Sequence, residues 1–174
     1  YEVVRELGHG GYAAVYLCND LRNGNRQVAV KLLNWTLLSP KERTEKEGRT
    51  LEVWQHIRRD YLVAKHLAHP NIAPVYEEGT YLGRPYYTMP YFHRNLRQRI
   101  DDKSLSLVDI LRIITETAQA LGYLHAWGII HRNVSPENIF VDDKGRAMLS
   151  DFGLAAFEPT SQNSNPKAGI PGYA

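Results

Sequence analysis

The sequence contains little cysteine and no long apolar segment, and each shortage excludes a class of protein. Cys18 is the single cysteine among 174 residues, so no internal disulfide can form and we expect a reducing, cytoplasmic location. No stretch reaches the roughly 18 consecutive apolar residues that a membrane-spanning helix needs. The chain also does not open on an apolar signal segment. We therefore expect no membrane segment within this stretch.

The sequence also lacks a strong charge of one sign, which argues against a nucleic-acid partner. It has 21 Lys and Arg residues against 19 Asp and Glu, a formal net charge of +2. Its basic residues are spread out apart from Arg94, Arg97 and Arg99, which we interpret as a solvated helix face. Nucleic-acid-binding surfaces usually carry a denser basic stripe, so we expect no nucleic-acid partner. His66 and His69 have no third ligand at the spacing of a zinc site.

Hydrophobic residues make up 43% of the sequence, enough for a buried core, and the first part of the chain has the spacing of strands. Short apolar segments alternate there with turns, and Asn23–Asn25 is typical of a hairpin. A second hairpin turn is predicted at Leu82–Arg84, between the strands Ile72–Tyr76 and Tyr86–Met89. The pattern therefore predicts an antiparallel sheet.

The later part of the chain is predicted to be mainly helical. One helix is expected from about Glu52 to Leu67, before the sequence His69-Pro70. A longer stripe at helical spacing ends before Gly128 and is assigned to core packing. Its members are Leu107, Ile110, Leu111, Ile114, Thr117, Ala118, Leu121 and Leu124. Beyond it, Ile139–Val141 and Ala147–Leu149 flank a polar turn.

Five features, each weak alone, follow one another in a fixed order. Residues 8–15 are Gly-His-Gly-Gly-Tyr-Ala-Ala-Val, a glycine-rich hairpin that fits G-x-G-x-x-G-x-V except that Ala13 stands at the third glycine. The backbone amides of such a hairpin can approach phosphates. Lys31 ends an apolar strand, where its charge needs a partner. A helix, the loop His131–Asn138 and the tripeptide Asp151–Gly153 complete the series. A glycine-rich hairpin is often only a turn, but this order rarely arises by chance.

In this order the features resemble those of the protein kinase family, specifically bacterial Ser/Thr kinases of the eukaryotic type. The segments Leu67–Ile72 and Gly169–Tyr173 add to the resemblance, which spans Tyr1 to Ala174. It implies an α+β, protein kinase-like fold: a small antiparallel β-sheet lobe with one main helix, then the first, mainly helical part of a larger lobe. We expect the chain to be an excerpt that lacks the C-terminal helices, or else a half-domain with exposed apolar surface.

The resemblance implies domain limits and cofactors as well. The N-terminal lobe would span residues 1–88 with an insertion at 34–59, the hinge 89–93, and the partial C-terminal lobe 94–174. ATP and Mg²⁺ would be the cofactors. Lys31 would hold the α- and β-phosphates, and its acidic partner would be Asp60 or, alternatively, Glu52.

Further roles follow from the resemblance, residue by residue. Asn138 and Asp151 would bind Mg²⁺. The remaining nucleotide contacts would come from the glycine-rich hairpin, from apolar residues on both faces of the adenine, and from the hinge. In that order they are Leu7, Gly8, Gly10, Gly11, Ala13 and Val15, then Ala29 and Phe140, then Met89, Pro90 and Phe92.

Asn133 is the most informative departure from the family's pattern. It stands where the family has the aspartate that accepts the substrate's proton, and a neutral amide cannot accept a proton near neutral pH. Ser135 replaces a lysine that many members carry, and Ile170 stands where the activation segment usually has threonine. These departures lie on the phosphoacceptor side, whereas Lys31, Asn138 and Asp151 on the nucleotide side are kept.

The pattern predicts a Ser/Thr kinase-like pseudokinase that binds ATP and Mg²⁺ and acts in signalling through regulated contact with a protein partner. One alternative is an active Ser/Thr kinase with weak or residual phosphotransfer, or an engineered inactive version of one. Another is a purely structural module that binds no nucleotide. The sequence identifies neither the protein substrate nor the partner.

Overall fold

The computed structural model describes residues 1–10, 13–33 and 60–157, with the backbone alone at Leu33 and Phe157. The predicted insertion at 34–59 lies outside these residues, as do Gly11, Glu52 and Ile170.

The described residues fall into two compact units. The first unit contains residues up to Tyr61 together with Pro74–Tyr91, and the second contains Leu62–Ala73 together with the residues from Phe92 onward. The lobe and hinge limits predicted from the sequence stay a prediction.

The first unit is a five-stranded antiparallel sheet. Its strands are β1 (Glu2–His9), β2 (Ala13–Asp20), β3 (Arg26–Leu33), β4 (Glu78–Tyr81) and β5 (Arg84–Pro90). They lie in the order β1-β2-β3-β5-β4. Both predicted hairpin turns are confirmed, and each contains two residues of positive φ: Gly24 and Asn25 in one, Leu82 and Gly83 in the other. Such turns match the right-handed twist of the strands they join.

The second unit contains one long helix and several short elements. The chain is helical at residues 60–66 (α1), part of the helix predicted to end near Leu67; residues 60 and 61 belong to the first unit and residues 62–66 to the second. The other elements are β6 (Arg94–Asn95), α2 (Leu96–Asp101), α3 (Leu107–Ala126), β7 (Ile129–Ile130), β8 (Ile139–Val141), β9 (Ala147–Leu149) and β10 (Ala156–Phe157). The strands β6, β8 and β9 form one small sheet, and β7 pairs with β10. An antiparallel sheet followed by a mainly helical part confirms the predicted fold class.

The segment Ile72–Tyr76 was predicted as a strand of the first sheet, and this prediction is wrong. Ile72 forms an isolated parallel bridge to Leu149. The backbone N–H of Ala73 donates to the Leu149 carbonyl at 2.8 Å, and that of Leu149 donates to the Asn71 carbonyl at 2.9 Å. The backbone of residues 71–73 therefore pairs with the end of β9. The apolar composition of Ile72–Tyr76 does not show whether the segment pairs with the first sheet or with β9, because both bury apolar side chains.

The long helix α3 begins and ends where the sequence predicts. Ser106 and Asp109 form a capping box at its start, each side chain bonding to the other's backbone N–H. Gly128, with a positive φ of 68°, follows its end. Among the residues that the structure describes, no helix is both long and apolar enough to cross a bilayer.

The buried face of α3 agrees with the predicted stripe only in part. Its buried side chains are Ile113, Thr117, Ala120 and Leu124, of which Thr117 and Leu124 were predicted. The first part of the predicted stripe is exposed: Leu107, Ile110, Leu111 and Ile114 are between 40% and 70% exposed. The Glu116 carboxylate accepts the backbone N–H of Ala147 at 2.6 Å, which turns this side of the helix toward β9. Both faces have helical spacing, so periodicity alone cannot distinguish them.

Candidate functional site

Lys31 and Asp60 form a mostly buried ion pair in the first unit. Lys31 lies in β3, where it faces Val15 of β2 and Tyr87 of β5 in the sheet register. Its Nζ is 2.6 Å from Asp60 Oδ2, and the two side chains are 18% and 3% exposed. Of the two partners that the sequence left open, Asp60 makes this contact, and Glu52 lies outside the described residues. Removing one member of such a pair leaves a buried charge and costs about 3–5 kcal/mol.

Tyr87 belongs to the same cluster, although no sequence pattern indicated it. Its hydroxyl donates to Asp60 Oδ2 at 2.5 Å, so one carboxylate oxygen receives two donors. Lys31 Nζ also lies 5.8 Å from the centroid of the Tyr87 ring. The neighbouring tyrosines Tyr86 and Tyr87 lie on opposite faces of β5 because side chains alternate along a strand. Only the register of the sheet shows which of them reaches Asp60.

The other first-unit residues predicted to contact a nucleotide lie around the glycine-rich turn and on the adjoining strands. The turn joins β1 to β2, and the backbone N–H of Gly10 donates to the Ala13 carbonyl at 2.8 Å. Leu7 and Gly8 are in β1, Ala13 and Val15 in β2, and Ala29 in β3 faces Met89 in β5, with Pro90 next along that strand.

Gly8 and Gly10 have space beside their α-carbons that no described residue fills. Among the described residues, a Cβ added at Gly8 would meet nothing within 4 Å, and one at Gly10 would meet only the Ala13 carbonyl oxygen at 3.9 Å. Neither residue has positive φ, so neither backbone conformation nor packing against the described residues requires glycine here. A glycine is also favoured where a ligand must approach the backbone closely. The turn therefore fits the close approach of a phosphate.

In the second unit, His131 fixes the loop His131–Asn138 to the residues that follow β9. The imidazole is buried, and its Nε2 lies 3.0 Å from the Ser150 carbonyl oxygen. Its Nδ1 lies 3.2 Å from the backbone N–H of Asn133 and so accepts that hydrogen. Nε2 must then carry the proton that the carbonyl accepts. The ring also stands edge-on to Phe152, with the centroids 5.1 Å apart.

Asn133, Asn138 and Asp151 lie together in one chain of hydrogen bonds. The Asn133 amide Nδ2 donates to Asp151 Oδ2 at 3.0 Å. A carboxylate oxygen can only accept, so the amide must present its nitrogen. The Asn138 amide Nδ2 donates in turn to the Asn133 carbonyl at 2.9 Å. The structure thus brings the degenerate proton-acceptor position next to both predicted magnesium ligands.

The backbone around these residues adopts conformations that side chains rarely favour. Arg132 has φ of 61°, and Asp151 has φ of 67° and ψ of 72°. Left-handed backbone at non-glycine residues costs on the order of 1–3 kcal/mol and is concentrated at functional sites. The conformation is supported by the Arg132 Nε, which donates to the Leu154 carbonyl at 2.6 Å, and by Ser150, whose N–H and hydroxyl donate to the Asn138 carbonyl.

Asn138 and Asp151 fit a magnesium site by their chemistry. An amide that donates through Nδ2 keeps Oδ1 as an acceptor, and Asp151 has a carboxylate, so both supply the hard oxygen ligands that Mg²⁺ prefers. In residues 1–10, 13–33 and 60–157, no group of three or more His, Cys, Asp and Glu residues could hold a metal alone. Mg²⁺ commonly binds through one or two carboxylates with waters and substrate phosphates, which is consistent with such a small protein ligand set.

Three further residues of the predicted site, Phe92, Ser135 and Phe140, belong to the second unit. Phe92 and Phe140 stack with their centroids 5.3 Å apart and their planes at 23°. Ser135 directly precedes a short 3-10 helix, Pro136–Asn138, and its carbonyl accepts the Asn138 N–H at 3.0 Å. Phe92 was predicted in the hinge and Phe140 beside the adenine. The stacked pair gives this unit an aromatic, half-buried surface.

The three arginines interpreted as a solvated helix face are all partly or fully exposed. Arg97 and Arg99 lie on α2, which buries no side chain, and Arg94 in β6 pairs with Asp102. Arg97 Nε also lies 3.0 Å from Glu137 in the candidate loop, a contact that the sequence did not predict. This hydrogen bond lowers the pKa of the Glu137 carboxyl below its ordinary value.

Comparison with known proteins identifies the family. The protein kinase domain family matches residues 1–174 of the chain. The probable serine/threonine-protein kinase pknA2 of Bifidobacterium longum is 35% identical over 157 residues, which are 89% of this chain and 20% of that protein. The putative CBL-interacting protein kinase 13 of Oryza sativa is 34% identical over 157 residues, with 90% and 29% covered. The probable serine/threonine-protein kinase PknB of Lactococcus lactis is 32% identical over 157 residues, with 89% and 23% covered.

The resemblance drawn from the motifs is therefore confirmed, although the chain spans less than a third of the length of these relatives. The family match extends over both compact units and includes the loop in which Asn133 stands. The chain belongs to the protein kinase family.

Proposed function

We propose that this chain binds ATP with Mg²⁺ and is impaired in phosphotransfer, as a pseudokinase. The hydrogen bond from Asn133 Nδ2 to Asp151 Oδ2, 3.0 Å long, carries this proposal. The residue in the proton-accepting position is an amide, and its nitrogen is turned toward a predicted metal ligand. An amide cannot take the proton of an incoming hydroxyl near neutral pH, and losing a general base lowers a rate by roughly 10²–10⁴.

Each unit, taken by itself, contains residues whose arrangement supports nucleotide binding. Lys31, held by Asp60, would contact the phosphates, and Gly8 and Gly10 would leave the backbone open to them. The oxygens of Asn138 and Asp151 would hold Mg²⁺, which neutralises phosphate charge when it is bound. The family match and the names of the relatives support ATP and Mg²⁺ as the cofactors.

The role in the cell would be signalling through regulated contact with a protein partner, in the cytoplasm. Ser135 supports weak chemistry, because a serine supplies no charge to a transferring phosphoryl group. The second candidate is residual phosphotransfer to serine or threonine. The names of the relatives favour it, and phosphoryl transfer through a loose transition state needs little early proton removal.

The test combines nucleotide binding with phosphate transfer. We expect magnesium-ATP to raise the melting temperature of the unaltered chain and to have no such effect on Lys31→Ala, each compared with its own melting temperature without nucleotide. Lys144→Ala, which removes an exposed lysine, is the matched control and should respond like the unaltered chain. With radiolabelled ATP and a generic protein acceptor, Asn133→Asp should transfer phosphate roughly 10²–10⁴ times faster than the unaltered chain.

Two results would contradict the proposal. Equal transfer rates for the unaltered chain and Asn133→Asp would show that the amide does not limit the chemistry. An unchanged melting temperature with magnesium-ATP in both the unaltered chain and Lys144→Ala would favour a structural module without nucleotide.

A further inference from the structure

The Asn133 amide occupies a place that the rest of the loop determines. Its backbone N–H donates to His131 Nδ1 at 3.2 Å, and its carbonyl accepts from Asn138 Nδ2 at 2.9 Å. These two bonds fix the backbone from which the side chain extends, and its Nδ2 meets Asp151 Oδ2 at 3.0 Å. The contact between Asn133 and Asp151 is therefore part of a network of hydrogen bonds.

The Asp151 carboxylate needs such a partner more than an ordinary surface aspartate does. The residue has left-handed backbone and stands between two buried neighbours, Ser150 and Phe152. Its side chain is itself half-buried. A hydrogen bond to an ionised acceptor is stronger than one between neutral groups, so the Asn133 donor contributes to holding the carboxylate in one orientation.

An aspartate at position 133 would replace this attraction by repulsion, with little change in the shape of the side chain. Aspartate and asparagine have nearly the same size, but the carboxylate has no donor. Two acceptor-only oxygens would then face each other where Nδ2 and Oδ2 are now 3.0 Å apart. Like charges at this distance repel, and a bound cation would offset that repulsion.

We propose that Asn133 is a positioning residue whose amide holds the Asp151 carboxylate in its present orientation without a cation. The inference rests on the proposed function in one respect, the assignment of Asp151 as a magnesium ligand. It adds that this chain keeps its candidate metal site ordered in the absence of metal. In the Asn133→Asp variant, which lacks this donor, Mg²⁺ contributes more to the same order than it does in the unaltered chain.

The experiment measures melting temperature without nucleotide, in EDTA and in millimolar Mg²⁺. In EDTA we expect Asn133→Asp to melt about 3–10 °C below the unaltered chain, the effect of losing a hydrogen bond to a charged group. Mg²⁺ should recover most of this loss, and it should raise the melting temperature of the unaltered chain by clearly less. Asn95→Asp is the matched control, because Asn95 accepts a hydrogen bond as the cap of α2 and aspartate caps equally well.

The reciprocal exchange distinguishes positioning from a general effect of the substitution. In Asn133→Asp/Asp151→Asn the donor and the acceptor trade places, so we expect the double variant to melt above Asn133→Asp in EDTA and to lose the large response to Mg²⁺. A merely structural role would make the two substitutions additive. If Asn133→Asp does not fold in EDTA, recovery of a melting transition in Mg²⁺ supports the proposal, and no recovery overturns it.

The proposal is overturned if Asn133→Asp and the unaltered chain have the same melting temperature in EDTA, or if Mg²⁺ raises both melting temperatures equally. It is also overturned if the double variant in EDTA is no more stable than the sum of the effects of Asn133→Asp alone and Asp151→Asn alone predicts. These measurements contain no nucleotide, so they can fail while magnesium-ATP binding succeeds, and the reverse.

Discussion

At the scale of single residues, the Asp60 carboxylate shows how a buried charge is held in the first unit. Its Oδ2 receives Lys31 Nζ at 2.6 Å and the Tyr87 hydroxyl at 2.5 Å. A buried carboxylate is stable only when donors replace the water it has lost. Tyr87 therefore supports the ion pair and not only the apolar interior of the sheet.

Tyr87→Phe removes this donor and keeps the ring. We expect the free energy of unfolding to fall by about 1–3 kcal/mol, because a buried charged acceptor loses one of its hydrogen bonds. Tyr81→Phe is the control, since Tyr81 is 59% exposed and should change the stability by less than about 0.5 kcal/mol. Urea unfolding measures both. Equal midpoints for Tyr87→Phe and the unaltered chain would contradict the role assigned to the hydroxyl.

At the scale of elements, α3 shows that one helix can carry two apolar faces of which the fold buries one. The buried face contains Ile113 and Leu124, and Glu116 beside it accepts a backbone hydrogen bond from Ala147 in the β9 strand. The first part of the predicted stripe, from Leu107 to Ile114, lies on the other face and is exposed among the described residues. Contact with β9, rather than the number of apolar residues, orients the helix.

Two neighbouring isoleucines on α3 test this orientation directly. Ile113 is 2% exposed and Ile114 is 61% exposed. Ile113→Ala should lower the free energy of unfolding by about 2–5 kcal/mol because it leaves a cavity. Ile114→Ala should change it by less than about 0.5 kcal/mol. Denaturant unfolding of the two variants compares them on the same helix, and a larger loss in Ile114→Ala would show that the wrong face was assigned to the core.

At the scale of the whole molecule, residues 62–73 belong to the second unit although the first unit continues after them at Pro74. Two hydrogen bonds involving Asn71 join this segment to β9: its side chain donates to the Ala147 carbonyl and its own carbonyl accepts from Leu149, each at 2.9 Å. His69 supports the same turn, since its Nδ1 accepts the Asn71 N–H at 3.1 Å. Residues 62–73 are thus joined by hydrogen bonds to β9, the strand that precedes Asp151.

The stability of this arrangement should depend on pH through His69. Burial lowers the pKa of His69 below its ordinary value, so the folded chain binds the proton less readily than the unfolded chain does. The stabilisation is complete above the unfolded pKa of about 6.5 and is lost as pH falls from there through the folded pKa. His69→Gln keeps a hydrogen-bond acceptor that does not titrate.

We therefore expect the melting temperature of the unaltered chain to fall more than that of His69→Gln when the pH is lowered from about 7.5 to about 5. The difference between the two curves isolates His69 from the other titrating groups. Parallel decreases across this interval would contradict the assignment.

Much of the fold and part of the candidate site could be predicted from the sequence. The hairpin at Asn23–Asn25 depends on turn chemistry, and the helix Leu107–Ala126 on local apolar spacing and on Gly128 after its end, so both predictions succeeded. The predicted strand Ile72–Tyr76 and the predicted burial of the first part of the α3 stripe were wrong because each depends on a distant partner, in both cases β9.

The sequence by itself determined the order of the motifs, the glycines of the first turn and the amide at position 133, because residue type is all that these require. Only the tertiary structure decided that Lys31 meets Asp60 with Tyr87 as a second donor, and that the Asn133 amide meets Asp151. These contacts join residues far apart in the chain. Their geometry depends on sheet register and on the packing of whole segments, which local sequence patterns do not encode.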